Sequence, residues 1–148
     1  MTIFSDLANE YQLLDYTPSH SQLLIRSMRN LNRDYNIDII VKSVFAILMP
    51  TEISGIEISI AETNDTKYLI DNFGFSDQFG YYGYEIFSIK DSKGNIYYLN
   101  AGSFGVYHTK LDILETSIGR YDYGPIEGEN VLWYNNQGLK VYPNNIVT

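Results

Sequence analysis

Histidine is the side chain most often used for acid–base chemistry near neutral pH, and this sequence contains two. His20 follows Pro18 and Ser19 in a polar stretch, where a histidine is usually just an exposed loop residue. His108 has Asp112 four residues later, a spacing that places two side chains on one face of a helix. The neighbouring residues favour a strand that runs into a turn, so we expect His108 to be structural.

The motifs of nucleophilic and phosphate chemistry are missing from the sequence. Without cysteine there is no disulfide, thiolate nucleophile or thiolate metal ligand. Residues 102–105, Gly-Ser-Phe-Gly, come nearest to a serine nucleophile elbow but lack its strand-turn-helix context. The glycines match neither dinucleotide-binding nor P-loop spacing. We expect no cofactor and no metal site, while acid–base work by a pair among the 18 carboxylates stays open.

Length, composition and charge indicate the class of protein. The 148 residues, 45% apolar and 19% charged, predict a single folded domain over 1–148. A net charge of −8 repels phosphate backbones, so a nucleic acid is not an expected partner and a basic protein is. Residues 1–6 do not resemble a signal peptide, and the longest apolar run, 44–49, falls short of the roughly 20 residues that span a membrane. We expect a cytoplasmic protein without membrane contact.

Acidic and aromatic residues are concentrated between positions 112 and 134. Carboxylates speed the encounter with a basic partner, and tyrosine or tryptophan can anchor it in a buried contact. The candidate partner-binding residues are Asp112, Glu115, Tyr121, Asp122, Tyr123, Glu127, Glu129, Trp133 and Tyr134. The alternative interpretation is a long solvated loop that happens to contain tyrosine.

The N-terminal stretch 6–14 predicts a short helix. Ser5 can cap its first turn, and Leu7, Tyr11 and Leu14 would share one face. Asp65 to Phe73 predicts a second short helix that Gly74 ends.

Strand patterns dominate the rest of the chain. A change of phase after Ser43 predicts a bulge, or a strand that becomes buried on both faces. We therefore predict an α+β fold, with a mostly antiparallel sheet of about six to eight strands and two or three short helices. The predicted strands cover 22–28, 37–49, 56–60, 84–90, 96–100, 104–108, 131–134 and 139–142.

In overall character the chain resembles bacterial toxin-immunity proteins, such as those that protect against contact-dependent inhibition toxins. These are often small, acidic, cysteine-free α+β proteins rich in tyrosine and asparagine. The resemblance covers the whole chain but no motif, so no residue role carries over. It implies tight one-to-one binding of a cognate toxin domain, often a basic nuclease, without cofactor or turnover. A small hydrolytic enzyme using carboxylates or His108, or an oligomeric accessory module, remains the alternative, and the oligomeric state is not predicted.

Overall fold

The computed structural model describes residues 1–77, 83–122, 126 and 129–142. Within these residues the chain forms ten β-strands, one α-helix and a short 3-10 turn at Ser19–Ser21. The strands pair antiparallel in one sheet of order β10-β9-β8-β3-β2-β1-β5-β6-β7-β4. The elements are β1 Thr2–Thr17, β2 Gln22–Ser27, β3 Asn36–Lys42, β4 Ala46–Leu48, β5 Glu52–Ile60, α1 Thr63–Phe73, β6 Glu85–Lys90, β7 Ile96–Ala101, β8 Ser103–Thr109, β9 Asn130–Asn135 and β10 Gly138–Val141.

The predicted α+β class is wrong, because the described part of the chain is nearly all β. Residues 6–14, predicted as a helix, belong to the 16-residue strand β1. This strand pairs with β5 on one side and with β2 on the other, so tertiary pairing overrides the local helical pattern. The second predicted helix is confirmed as α1, which Gly74 ends in the left-handed conformation with φ +68°.

The predicted continuous strand over 37–49 is also wrong. Ser43 adopts a left-handed backbone with φ +54°, and its amide donates to the carbonyl of His20. The chain leaves the sheet there after β3 and re-enters as β4, beside β7 at the opposite edge. The change of phase in the sequence therefore marks the end of one strand and the start of another.

The sheet curls so that its two halves face each other. In a flat sheet, the five steps from β6 to β8 would separate these strands by about 24 Å. Phe87 of β6 nevertheless lies 5.4 Å from Phe104 of β8 and 5.6 Å from Tyr134 of β9, measured between ring centroids. Strand β1 serves both halves, and its register against β5 shifts between Asp6 and Glu10, which marks a bulge. The main core lies inside this curl.

Two elements cover the outer face of the sheet. Helix α1 packs Leu69 against Phe75 and Ile86 on the side of β6. Residues 110–122, called the cover segment below, pack Tyr121 over Leu24 and other outward side chains of β2, β3 and β8. No helix in the part of the chain that the structure describes is long and apolar enough to cross a membrane.

Candidate protein-binding surface

The polar residues of β2 and β3 hold the cover segment in place. Alternate positions of these strands, such as Leu23 and Ile39, face the core, while the polar positions between them face outward and are still buried. Three backbone carbonyls of the cover segment accept hydrogen bonds from these outward side chains. The bonds run from Asn36 Nδ2 to Leu111 (2.9 Å), from Arg26 Nη1 to Asp112 (3.3 Å) and from Lys42 Nζ to Tyr121.

An ion pair between Arg26 and Asp38 lies beneath the cover segment, and neither side chain is exposed. The guanidinium donates from Nε to Oδ1 at 2.6 Å and from Nη2 to Oδ2 at 2.8 Å. Thr109 adds a hydroxyl donor to Oδ2 at 3.1 Å. The carboxylate is thus fully partnered, as a buried charge must be.

Two predicted carboxylates, Asp112 and Glu115, stand exposed at the start of the cover segment. Asp112 forms a 2.8 Å ion pair with Arg29. Glu115 accepts the Asp112 amide at 2.9 Å and lies 4.0 Å from Arg120. Surface pairs of this kind contribute roughly 0–1 kcal/mol, so they fix geometry more than they stabilise the fold.

Asp122 and Trp133 lie near Lys42 at the other end of the cover segment, and Glu129 contacts the side chain of Tyr121. Asp122 accepts a 3.1 Å hydrogen bond from Gln22, and Glu129 accepts the Tyr121 hydroxyl. Both carboxylates belong to exposed residues, whereas Trp133 is half-buried with Lys42 Nζ 5.6 Å from its ring centre. Burial lowers the pKa of Lys42, an effect that the nearby Asp122 opposes.

Tyr121 and Tyr134 are buried in the monomer. Tyr121 stacks on Tyr107 with ring centroids 4.1 Å apart, and burial followed by the contact with Glu129 raises the pKa of its hydroxyl. Tyr134 lies in the core and donates to Glu85 at 3.2 Å; burial and this carboxylate raise its pKa to about 12. Two further predicted residues, Tyr123 and Glu127, lie outside the described residues.

The structure does not join His108 to Asp112. The imidazole packs against the Tyr35 ring at a 31° tilt with centroids 4.2 Å apart, while Asp112 is bound to Arg29. Burial, and secondarily the charge of Arg33, lower the pKa of His108. Its neighbours are thus an aromatic ring and a cation, a setting that disfavours the protonated imidazole.

The arrangement of the His, Asp and Glu side chains and the position of Ser103 bear on metal and serine chemistry. The described residues contain no group of three or more His, Asp or Glu side chains placed to hold a metal ion. Ser103 is the first residue of the extended strand β8 and does not lie in a strand-to-helix turn.

Two exposed turns were missed by the sequence interpretation. The Leu31 turn (residues 30–33) is closed by backbone hydrogen bonds of 2.9 and 3.2 Å between Asn30 and Arg33. The Leu114 turn (residues 112–115) is closed by the Glu115 amide and the Asp112 carbonyl at 2.9 Å. The sequence does contain a signal for these turns. Each has an aliphatic residue at its centre, where turns usually have Gly, Asn, Asp, Ser or Pro.

A cavity of about 540 Å³ lies beside the Leu31 turn. Its walls come from the bulged part of β1, the end of β2 and the Leu31 turn, and include Ala8, Tyr11, Met28, Asn30 and Asn32. It falls within the size range of small-molecule sites, and its lining also includes Glu10, Glu52 and the buried Arg26.

No protein-family model, curated protein or solved structure matches this chain.

Proposed function

We propose that this chain is a cytoplasmic immunity protein, which binds a basic toxin domain, such as a nuclease, and blocks its action. The observation that carries the proposal is the anchoring of exposed carboxylates on a fixed backbone. Asp122 lies next to Tyr121, whose carbonyl is bound by buried Lys42, and Glu129 accepts the Tyr121 hydroxyl. A binding surface that is ordered before the encounter loses less conformational entropy when a partner docks.

Charge supports the same proposal. The chain carries −8 overall, the exposed Asp122 lies near Lys42 together with the half-buried Trp133, and the exposed Glu129 binds the Tyr121 hydroxyl. Such an arrangement attracts a basic protein over a long range and offers an aromatic contact once it arrives.

The proposal is tested first by co-expression with the product of the adjacent gene. We expect that product to arrest growth alone, and we expect growth to recover and the two proteins to co-purify when this chain is present. A neighbour that is harmless and does not bind contradicts the proposal.

The binding surface is tested by charge reversal with a matched control. Asp122→Lys with Glu129→Lys should slow association with the toxin about tenfold or more at low salt, because steering by charge acts mainly on the association rate. Glu62→Lys with Asp71→Lys changes the net charge equally on exposed residues at α1. Equal slowing by the two double variants would indicate that the interface does not include Asp122 and Glu129.

A further inference from the structure

The cavity of about 540 Å³ beside the Leu31 turn, called the recess below, carries two carboxylates that the fold leaves without a cation. Glu10 accepts the Ser54 hydroxyl at 2.8 Å, and neither Glu10 nor Glu52 forms an ion pair with another described residue. The register of β1 and β5 sets Glu10 opposite Ser54 and, two residues on, Gln12 opposite Glu52. The two glutamates are therefore diagonal neighbours on one face of the sheet, about 7–8 Å apart.

Arg26 also lines the recess, but its charge is already compensated. The guanidinium is fully buried and donates to both carboxylate oxygens of Asp38, at 2.6 and 2.8 Å, and to the carbonyl of Asp112. The other lining residues apart from the two glutamates are uncharged. The recess is thus acidic within a chain of net charge −8, so its electrostatic potential favours a cation.

The uncharged lining indicates which cation fits. Asn9 donates its side-chain amide to the Asp6 carboxylate at 2.9 and 3.1 Å, which leaves its carbonyl oxygen to accept, and Gln12 supplies a second amide. A guanidinium has five N–H donors in a planar fork, which suits several carboxylate and amide acceptors better than the compact ammonium of lysine. Ala8 and Met28 offer apolar contact for the aliphatic stem that carries such a group.

The exposed Leu31 indicates that this guanidinium belongs to a protein. Leu31 is 106% exposed, and Asn30 and Asn32 on either side of it line the recess. A small free cation in the recess would leave the leucine in water, whereas a protein surface around an inserted arginine would cover it. Removing this apolar area from water is favourable.

We propose that the recess binds the guanidinium of an arginine on the basic partner, between Glu10 and Glu52, while the partner surface covers Leu31. The inference rests on the proposed toxin binding and adds a second contact to it. The recess lies at the end of β2 near Ser27, and Asp122 lies beside Gln22 at the strand's other end, about 17 Å away. One interface of about 800 Å² per partner can include both.

Nα-acetyl-arginine amide is the probe for the recess itself, followed by NMR on the full chain. We expect saturable shifts of the backbone amides at 8–12 and 28–32, and none with the uncharged isostere Nα-acetyl-citrulline amide. Glu10→Gln with Glu52→Gln should raise the dissociation constant of the probe about tenfold or more, because hydrogen bonds to charged groups are lost. Glu62→Gln with Asp71→Asn removes the same charge from exposed residues at α1 and should leave the constant unchanged.

The toxin complex distinguishes a partner's arginine from a free small cation. Glu10→Gln with Glu52→Gln should raise the dissociation constant of the toxin about tenfold or more as well. Leu31→Ser should weaken toxin binding and leave the affinity for the probe unchanged, because only a protein covers the leucine. Circular dichroism of each variant will show whether the sheet is retained.

A probe that shifts none of these amides, or that binds the Glu10→Gln and Glu52→Gln variant as it binds the wild type, overturns the guanidinium site. A toxin that binds this variant and Leu31→Ser with unchanged affinity overturns the contact with the partner and leaves the proposed function standing. Probe binding by a chain that binds no toxin would instead contradict the proposed function and assign the recess to a free cation.

Discussion

The buried polar residues of β2 and β3 serve to place the cover segment. Gln22, Arg26, Asn36, Asp38 and Lys42 all lie on outward strand positions, where an alternating sequence predicts contact with water. Each of them instead meets a partner in the cover segment or a neighbouring strand. A buried ion pair gains little net free energy over apolar packing. Arg26 also donates to the Asp112 carbonyl, so the pair is linked directly to the cover segment.

Asp38→Asn should lower the free energy of unfolding by about 3–5 kcal/mol in urea titration, because it leaves the charge of Arg26 buried and uncompensated. The half-exposed pair of Lys90 and Glu57, 3.3 Å apart, provides the control. Glu57→Gln should change the free energy of unfolding by less than about 1 kcal/mol. A similarly small effect of Asp38→Asn would show that the buried charge of Arg26 does not need the Asp38 carboxylate to be stable in the fold.

Strand β8 is the element on which the core and the cover segment meet. Phe104 and Val106 point into the core, and Tyr107 points outward to stack beneath Tyr121. Gly105 leaves room for that outward ring: a β-carbon at this position would lie 2.5 Å from the Tyr107 hydroxyl oxygen and 2.7 Å from its Cε2. The strand therefore needs a glycine here for packing, not for backbone conformation.

Gly105→Ala should destabilise the protein by about 1–3 kcal/mol, since the stacked Tyr107 ring has little freedom to move away. Urea titrations of Gly105→Ala, Tyr107→Leu and the double variant will measure this. We expect the double variant to lose less than the sum of the single losses, because the smaller side chain removes the clash. Additive losses would show that Gly105→Ala does not destabilise the protein through a clash with the Tyr107 ring.

Locally encoded elements were predicted correctly. The β6–β7 hairpin, the β9–β10 hairpin and α1 all appear within one or two residues of their predicted bounds. Their turn and end signals lie within a few residues of the elements themselves. Residues 6–14 differ, because strand partners in β2 and, 40 and more residues away, in β5 decide their conformation, as in the pairing of Glu10 with Ser54.

At the scale of the whole molecule, aromatic contacts in the core join the two halves of the curled sheet. Phe87, Phe104 and Tyr134 come from strands on opposite halves of the curl and meet in the core. If they hold the halves together, their contributions to stability must depend on one another.

A double-mutant cycle of Phe87→Leu and Tyr134→Leu should show a coupling energy of about 0.5–1.5 kcal/mol, the range for interacting aromatic pairs. Leu24→Ala is the control partner for Phe87→Leu, because Leu24 packs in the separate cluster under the cover segment. That control pair should be additive within about 0.5 kcal/mol. Absence of coupling between Phe87 and Tyr134 would contradict the closed arrangement.

The sequence by itself determined the acidity, the absence of cysteine and known catalytic motifs, the hairpins and α1. It also located the acidic and aromatic residues of positions 112–134. These properties depend on composition or on contacts between near neighbours in the chain, which a linear pattern records. Only the tertiary structure decided which of those residues face water: it buried Tyr121 and Tyr134, exposed Asp122 and Glu129, and showed that polar strand positions anchor the cover segment. The hydrogen bond from Gln22 to Asp122 spans 100 residues, so it depends on the tertiary fold and not on near neighbours in the chain.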